Sequence, residues 1–272
     1  MTVPLVSQFV KVLNGIDQSK SRTEVFADFC ELSYCALAKA ASPFTDQKDA
    51  LEVQYMQVVG RYRDKDDVRK MPALLALALE AIHVGGMDFL GAVASELGAL
   101  DARLGQFFTP YHISRMMAEI SLTDVVKTIE ANGFVTVSEP AVGAGGMAIA
   151  VADVIEGLGF DPACHLWVEA TELSRTTFYM GFIQINARGV AGKITCGNSL
   201  SLETFTSAYT AAAPIFISAN GHPFAKQHAA QKQKAAKLAT QEQQQTLDRA
   251  ARIADLGLSQ PKIPAEQLVF FD

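Results

Sequence analysis

The sequence predicts an α/β protein in which a helical N-terminal domain precedes a parallel β-sheet. Apolar residues recur at helical spacing through about the first hundred residues, where we find no convincing strand. After Asn132-Gly133, short apolar runs alternate with helical segments, a pattern typical of a parallel sheet covered by helices. This second region begins with Val135–Met147, which reads V-T-V-S-E-P-A-V-G-A-G-G-M and passes from a β-branched run into three glycines.

The composition of the chain limits the classes of protein to which it can belong. The chain has 272 residues, 49% of them hydrophobic and 19% charged, which is enough for a buried core. A formal charge of −6 gives no overall basic footprint, so a nucleic-acid partner would need a local basic patch. The four cysteines form no C-x-x-C pair, which favours buried thiols in a reducing compartment. The longest apolar run of the first half, Pro72–Leu79, is too short to span a bilayer, and we expect a cytoplasmic protein.

The first 104 residues are predicted to form the helical domain. One helix carries Val25, Phe29, Leu32 and Ala36, with Thr23 as its cap and Ser42-Pro43 as its end. Further helices are predicted after Asp46, over Met71–His83 and over Met87–Leu97, with a solvated loop or helix edge at Arg61–Lys70.

Gly105–Pro110, G-Q-F-F-T-P, precedes another helix. Thr109 is expected to cap it and Pro110 to occupy its first turn, with Ile113, Met116, Met117 and Ile120 on one face. The two phenylalanines either staple the helix start or wall a ligand site.

Strands are predicted at Phe134–Val137, Leu166–Ala170, Lys193–Cys196 and Pro214–Ser218, with helices at Gly146–Glu156 and Arg175–Ala187. Ligands bind at the carboxyl ends of such strands, where the glycine turn offers free amides and a helix N-terminus. The alternative is an ordinary tight turn. Residues 225–272 form a predicted tail: Ala225–Leu256 as a solvated helix, or less favourably a nucleic-acid contact, and Leu268–Phe271 as a short final strand.

These segments resemble the N-6 adenine DNA methylases of the modification-subunit type. Gly105–Pro110 matches that family's G-Q-F-[FY]-T-P segment, and Glu139–Gly146 matches its D-P-A-C-G-S-G-G turn with conservative changes. The resemblance covers residues 105–224 and implies a truncated Rossmann-like methyltransferase sheet with strand order 3-2-1-4.

The resemblance also implies S-adenosylmethionine as cofactor. Glu139 is then placed to accept from the cofactor's ammonium group, Glu172 to hold the ribose hydroxyls, and Thr109 to bind the methionine carboxylate; Glu172 is alternatively a solvated helix cap. Asn198 follows the third strand, where the family carries Asp or Asn near the adenine ring. The predicted cofactor residues are Phe108, Thr109, Pro110, Glu139, Ala141, Gly143, Gly145, Glu172, Leu173, Asn198 and Ser199.

The family's catalytic N-P-P-F motif corresponds here to Asn220-Gly221-His222-Pro223-Phe224. Gly221 stands in place of the catalytic Asn, so Asn220, His222, Pro223 and Phe224 are the residues predicted to form the base site.

The resemblance thus implies an S-adenosylmethionine-dependent DNA adenine methyltransferase-like protein. One alternative is a catalytically silent homologue that binds cofactor or DNA and regulates or mimics a restriction-modification subunit. Another is a methyltransferase for RNA, protein or a small molecule. The implied partners are DNA and a specificity-type or second subunit that completes the site.

Overall fold

The computed structural model describes residues 3–99 and 108–224 of the chain. It divides the chain into two compact units, Met1–Gly221 and His222–Asp272, and only residues 222–224 of the second are described. The α/β class is confirmed, with a four-stranded, mostly parallel sheet. Within the described residues, no helix is long and apolar enough to cross a membrane. The cytoplasmic location and the domain boundary after residue 104 stay predictions, and the predicted tail lies outside the described residues.

Every element described between residues 3 and 99 is a helix, as predicted: α1 Val3–Asn14, α2 Arg22–Ala41, α3 Thr45–Gly60, α4 Lys65–Val68, α5 Met71–Val84 and α6 Phe89–Glu96. The predicted cap of α2 is wrong by two residues. Ser21, not Thr23, caps the helix, because the Ser21 hydroxyl accepts from the Glu24 amide while the Glu24 carboxylate accepts from the Ser21 amide. Arg61–Lys70, predicted as a solvated loop or helix edge, contains the short helix α4.

Aromatic packing joins the helices to the sheet region. Phe9 lies edge-on to Phe29 and Phe89, with ring centroids 5.0 and 5.7 Å away. Tyr34 of α2 packs against Phe178 and Phe182, both with centroids at 5.1 Å. Both phenylalanines belong to helix α11, Arg175–Ala187, so the helices and the sheet share one core.

Three strands are parallel: β1 Val135–Glu139, β2 Leu166–Glu172 and β3 Ala191–Asn198. The fourth, β4 Glu203–Tyr209, pairs antiparallel with β3, and the sheet order is β1-β2-β3-β4. The predicted 3-2-1 arrangement is therefore confirmed, whereas the predicted fourth strand beside β1 is wrong.

The segment predicted as the fourth strand is helix α12, Ala213–Asn220. Pro214 lies in its first turn, where a missing amide costs nothing. Phe216 faces inward, with its ring centroid 5.1 Å from Phe134 and 5.3 Å from Trp167. A short apolar run fits a strand or a helix equally well, and here the proline and the buried ring favour the helix.

The remaining helices are α7 Tyr111–Ser121, α8 Val125–Asn132, α9 Gly146–Gly157 and α10 Pro162–His165. Helices α9 and α11 were predicted correctly. The predicted cap of α7 is wrong, because Pro110 stands at the cap and no side chain there bonds the helix amides. Helix α7 buries Ser114 and Ala118, while Met116, Met117 and Ile120 are exposed. Cys30, Cys35 and Cys196 are buried as expected, but Cys164 is exposed.

Candidate functional site

The glycine turn links the carboxyl end of β1 to the start of α9. Gly143 has φ 57° and Gly145 has φ 97°, both in the left-handed region that favours glycine. Gly145 caps α9, so the helix begins at Gly146. The Ala141 amide donates to Oε1 of Glu139 at 3.2 Å, which holds that carboxylate at the start of the turn. The turn and the helix N-terminus therefore face the same edge of the sheet.

Glu172, the last residue of β2, connects this turn to the next loop. Its Oε2 accepts from the Gly143 amide at 3.0 Å, and its Oε1 accepts from the Ser174 amide at 2.9 Å. Ser174 is the cap of α11, since its hydroxyl accepts from the Thr177 amide. Glu172 thus fixes two loops to each other rather than capping the helix itself.

A cavity of about 260 Å³ opens beside the glycine turn. Five of the predicted cofactor residues line it: Phe108, Thr109, Glu139, Ala141 and Gly143. Val142, Ala144 and Gly146 of the same glycine-rich stretch also line it, together with Asp88, Ser114, Met117 and Met147, which were not predicted. Asp88 and Ser114 are the polar side chains among them.

Asp88 is buried, at 8% exposure, and caps α6. Its Oδ1 accepts from the Gly91 amide at 2.8 Å and from Nε2 of Gln184 at 2.7 Å. Burial raises the pKa of the Asp88 carboxyl, and these two hydrogen bonds partly oppose the shift. Nε2 of Gln184 also donates to the carbonyl of Ala144 at 2.6 Å, and its Oε1 accepts from the Leu90 amide at 3.0 Å.

Ser114 is 1% exposed, and its hydroxyl is the one buried side-chain oxygen or nitrogen in the described part of the chain that has no hydrogen-bond partner. Helix α7, to which Ser114 belongs, is anchored by Asp153 of α9. Asp153 accepts from the Tyr111 hydroxyl at the start of α7, from the Gly86 amide at 2.8 Å and from Nε of Arg188 at 2.9 Å. Burial, followed by the bond to Asp153, raises the pKa of Tyr111 to about 12.

The charged side chains that line the cavity are acidic. Asp88 and Glu139 line it, and none of the described lining residues is basic. The N-terminus of α9, with its free amides and the positive end of its dipole, lies on another wall at Gly146 and Met147. Such a cavity suits a ligand end that carries both a cation and a carboxylate, and disfavours a phosphate group.

Six predicted cofactor residues are not part of this lining: Pro110, Gly145, Glu172, Leu173, Asn198 and Ser199. Leu173 and Asn198 nevertheless lie at the same edge of the sheet, at the carboxyl ends of β2 and β3. Oδ1 of Asn198 accepts from the amides of Leu200 and Ser201 at 2.9 and 3.2 Å, which uses this side chain in its own turn.

The predicted catalytic Asn220 lies elsewhere. It is an exposed residue at the end of α12, where its Nδ2 donates to the Phe216 carbonyl at 3.3 Å. A Cβ built on Gly133 would lie 3.7 Å from Oδ1 of Asn220, which places Asn220 before the amino end of β1. Glu139 lies at the other end of the same strand. A strand rises roughly 3.3 Å per residue, so Glu139 is about 20 Å from Gly133. The expected position of Asn220, after a parallel strand and beside the glycine turn, is wrong.

His222, Pro223 and Phe224 belong to the second compact unit. The Phe224 amide donates to Nδ1 of His222 at 3.2 Å, which closes a local turn around Pro223. Their predicted catalytic role stays a prediction.

Comparison with known proteins gives one family match. Residues 89–251 match the family model described as N-6 DNA methylase. No curated protein matches. Two crystal structures are similar: a protein from Listeria monocytogenes provisionally described as a class I S-adenosylmethionine-dependent methyltransferase, and a type I restriction-modification system methyltransferase subunit from Streptococcus thermophilus. Identity is 13% to each, with TM-scores of 0.34 and 0.31, over 72% and 70% of this chain. The chain spans only about half the length of either, 54% and 56%.

Proposed function

This chain belongs to the N-6 DNA methylase family, and we propose that it is an S-adenosylmethionine-dependent protein of the DNA adenine methyltransferase type whose cofactor site is the cavity beside the glycine turn. The observation that carries the proposal is the charge of that cavity: carboxylates and a helix N-terminus, with no basic residue among the described residues that line it.

The residues present fit the cofactor. Its methionine end carries an ammonium group, a carboxylate and the neighbouring sulfonium cation, and its ribose carries two hydroxyls. The Glu139 carboxylate faces the ammonium group, and the first amides of α9 face the carboxylate. A buried, unpartnered hydroxyl on Ser114 supports the presence of a polar ligand. When bound, the cofactor supplies an electrophilic methyl group.

The volume of about 260 Å³ suits the methionine end alone, since sites for whole ligands of this size are usually larger. We assign the adenosine end to the neighbouring carboxyl ends of β2 and β3. Glu172 there receives the ribose hydroxyls, and Leu173, Asn198 and Ser199 border the adenine.

Calorimetry with S-adenosylmethionine tests the site. We expect the unaltered protein to bind, Glu139→Ala to abolish binding because it removes a carboxylate that accepts from the ammonium group, and Glu172→Ala to weaken binding by about 1–3 kcal/mol. Glu130→Ala, at an exposed acid of α8, is the matched control and should bind normally. Absence of binding by the unaltered protein at millimolar ligand would refute the proposal.

A second candidate, a silent homologue that binds cofactor without methylating DNA, is favoured by the position of Asn220. An adenine amine needs an acceptor within hydrogen-bond reach, roughly 2.6–3.2 Å, and Asn220 lies at the opposite end of β1 from the turn. DNA and a second subunit that completes the site are the partners that both candidates imply.

A methyl-transfer assay on unmethylated DNA separates the two candidates. For the silent homologue we expect no labelled methyl in DNA from the isolated chain, with or without Asn220→Ala. Transfer that Asn220→Ala eliminates would restore Asn220 as the acceptor. Transfer that survives this substitution would place the acceptor elsewhere and also exclude the silent homologue.

A further inference from the structure

We propose that Asp88 and Ser114 hold the amino-acid end of the cofactor, with Oδ2 of Asp88 accepting from the ammonium group and the Ser114 hydroxyl donating to the carboxylate. This inference rests on the proposed function and extends it to two residues outside the family's sequence motifs.

The Asp88 carboxylate has one oxygen engaged and one available. Its Oδ1 takes both hydrogen bonds, from Gly91 and Gln184, while Oδ2 has no partner among the described residues. Two glycines make room for Oδ2: a Cβ on Gly91 would lie 2.1 Å from it, and a Cβ on Gly146 would lie 3.3 Å from it. The free oxygen therefore lies against the first residue of α9, in the wall of the cavity.

The carboxylate is not needed for the contacts that the protein itself makes. An asparagine would keep an oxygen for Gly91 and Gln184 without the cost of burying a charge. A buried acid with a free oxygen in a cavity is explained when a cation binds there, because the pair then compensates the desolvation of the carboxylate.

Ser114 supplies the complementary group. A buried hydroxyl without a partner destabilises the fold, and a helical serine usually avoids this by bonding to the carbonyl one turn earlier. Ser114 does not, although it is almost fully buried in the cavity wall. The ligand carboxylate is the acceptor that satisfies it. A phosphate ligand is disfavoured because Asp88 and Glu139 would repel it.

Calorimetry with three ligands tests the Asp88 and Ser114 contacts separately. S-adenosylhomocysteine carries both the ammonium and the carboxylate, decarboxylated S-adenosylmethionine keeps only the ammonium, and 5′-methylthioadenosine lacks both. We expect Asp88→Asn to weaken the first two about 10- to 100-fold, and Ser114→Ala to weaken only the first, about 3- to 10-fold. Both variants should bind 5′-methylthioadenosine as the unaltered protein does. Asp64→Asn, at the exposed cap of α4, is the matched control.

Equal affinity of both variants and the unaltered protein for S-adenosylhomocysteine would overturn the inference while leaving the cofactor site intact. So would equal losses for S-adenosylhomocysteine and 5′-methylthioadenosine in variants that melt like the unaltered protein. If the unaltered protein binds none of the three ligands, the proposed function itself fails. Ser114→Ala removes no hydrogen bond of the described chain, so it tests the inference even if Asp88→Asn folds poorly.

Discussion

At the scale of single residues, Asp88 has opposite effects on folding and on ligand binding. Burial raises its pKa above the ordinary value of 3.8, so the folded protein holds this proton more tightly than the unfolded chain does. The stability that this preference contributes is present below the unfolded pKa and is lost as the pH rises through the folded pKa. The acid is thus a cost to the unliganded protein at neutral pH.

Asp88→Asn should remove that pH dependence. We expect the free energy of unfolding of the variant, relative to the unaltered protein, to increase as the pH rises from about 4 and to level off above the folded pKa. Urea unfolding at a series of pH values measures this, with Asp64→Asn as the control. A stability difference that stays constant with pH would show that Asp88 titrates alike in both states.

Residues within local motifs were predictable, and those brought in by the tertiary fold were not. Glu139 and Gly143 lie within one glycine-rich stretch, and Thr109 precedes a helix, so each carried a signal in its neighbours. In the sequence Asp88 lies inside the predicted helix Met87–Leu97, and Ser114 is a small polar residue in an amphipathic helix. Only the tertiary fold, which packs α7 on α9 and places Asp88 against Gly146, brings them to the cavity.

At the scale of elements, β4 and α12 show why the end of the sheet was mispredicted. Strand β4, E-T-F-T-S-A-Y, is exposed over its first half and has no apolar run to predict it. Helix α12 is apolar enough to resemble a buried strand. By contrast, α9 and α11 each follow a turn or a capping residue and run long enough to reveal their period.

Two neighbouring residues of α12 differ in burial, and this difference can be tested by mutation. Phe216 is 1% exposed and Ile215 is 74% exposed. Phe216→Ala should lower the free energy of unfolding by about 3–5 kcal/mol, because it leaves a cavity against Phe134 and Trp167. Ile215→Ala should change it by less than about 0.5 kcal/mol. Comparable losses from both substitutions in urea unfolding would contradict the buried position of Phe216 and the exposed position of Ile215.

At the scale of the whole molecule, the helices and the sheet depend on each other. Asp153 joins α7, the Gly86 loop and Arg188, while the buried amide of Gln184 joins α6 to the glycine turn. The sequence indicates neither link directly: Asp153 appears as a lone acid in an apolar run, and Gln184 as a polar residue in a helix.

Amide hydrogen exchange should detect the second link. The Leu90 amide donates to Gln184, and the Gly91 amide donates to Asp88. We expect S-adenosylhomocysteine to slow exchange at both amides, because the ligand stabilises the arrangement in which these bonds are made. The Val25 amide, bonded to Ser21 at the start of α2, serves as a reference. Unchanged protection at Leu90 in saturated protein would show that the two regions open independently.

The hydrogen bonds of Gln184 also allow helix α6 to influence ligand binding in the cavity. If occupancy of the cavity stiffens α6, then anything that stiffens α6 must raise the affinity for the ligand by the same factor, since coupling between two sites is reciprocal. A protein that docks on the helical face of this chain would thereby adjust cofactor affinity without touching the cavity. Gln184 is the residue through which that influence would pass.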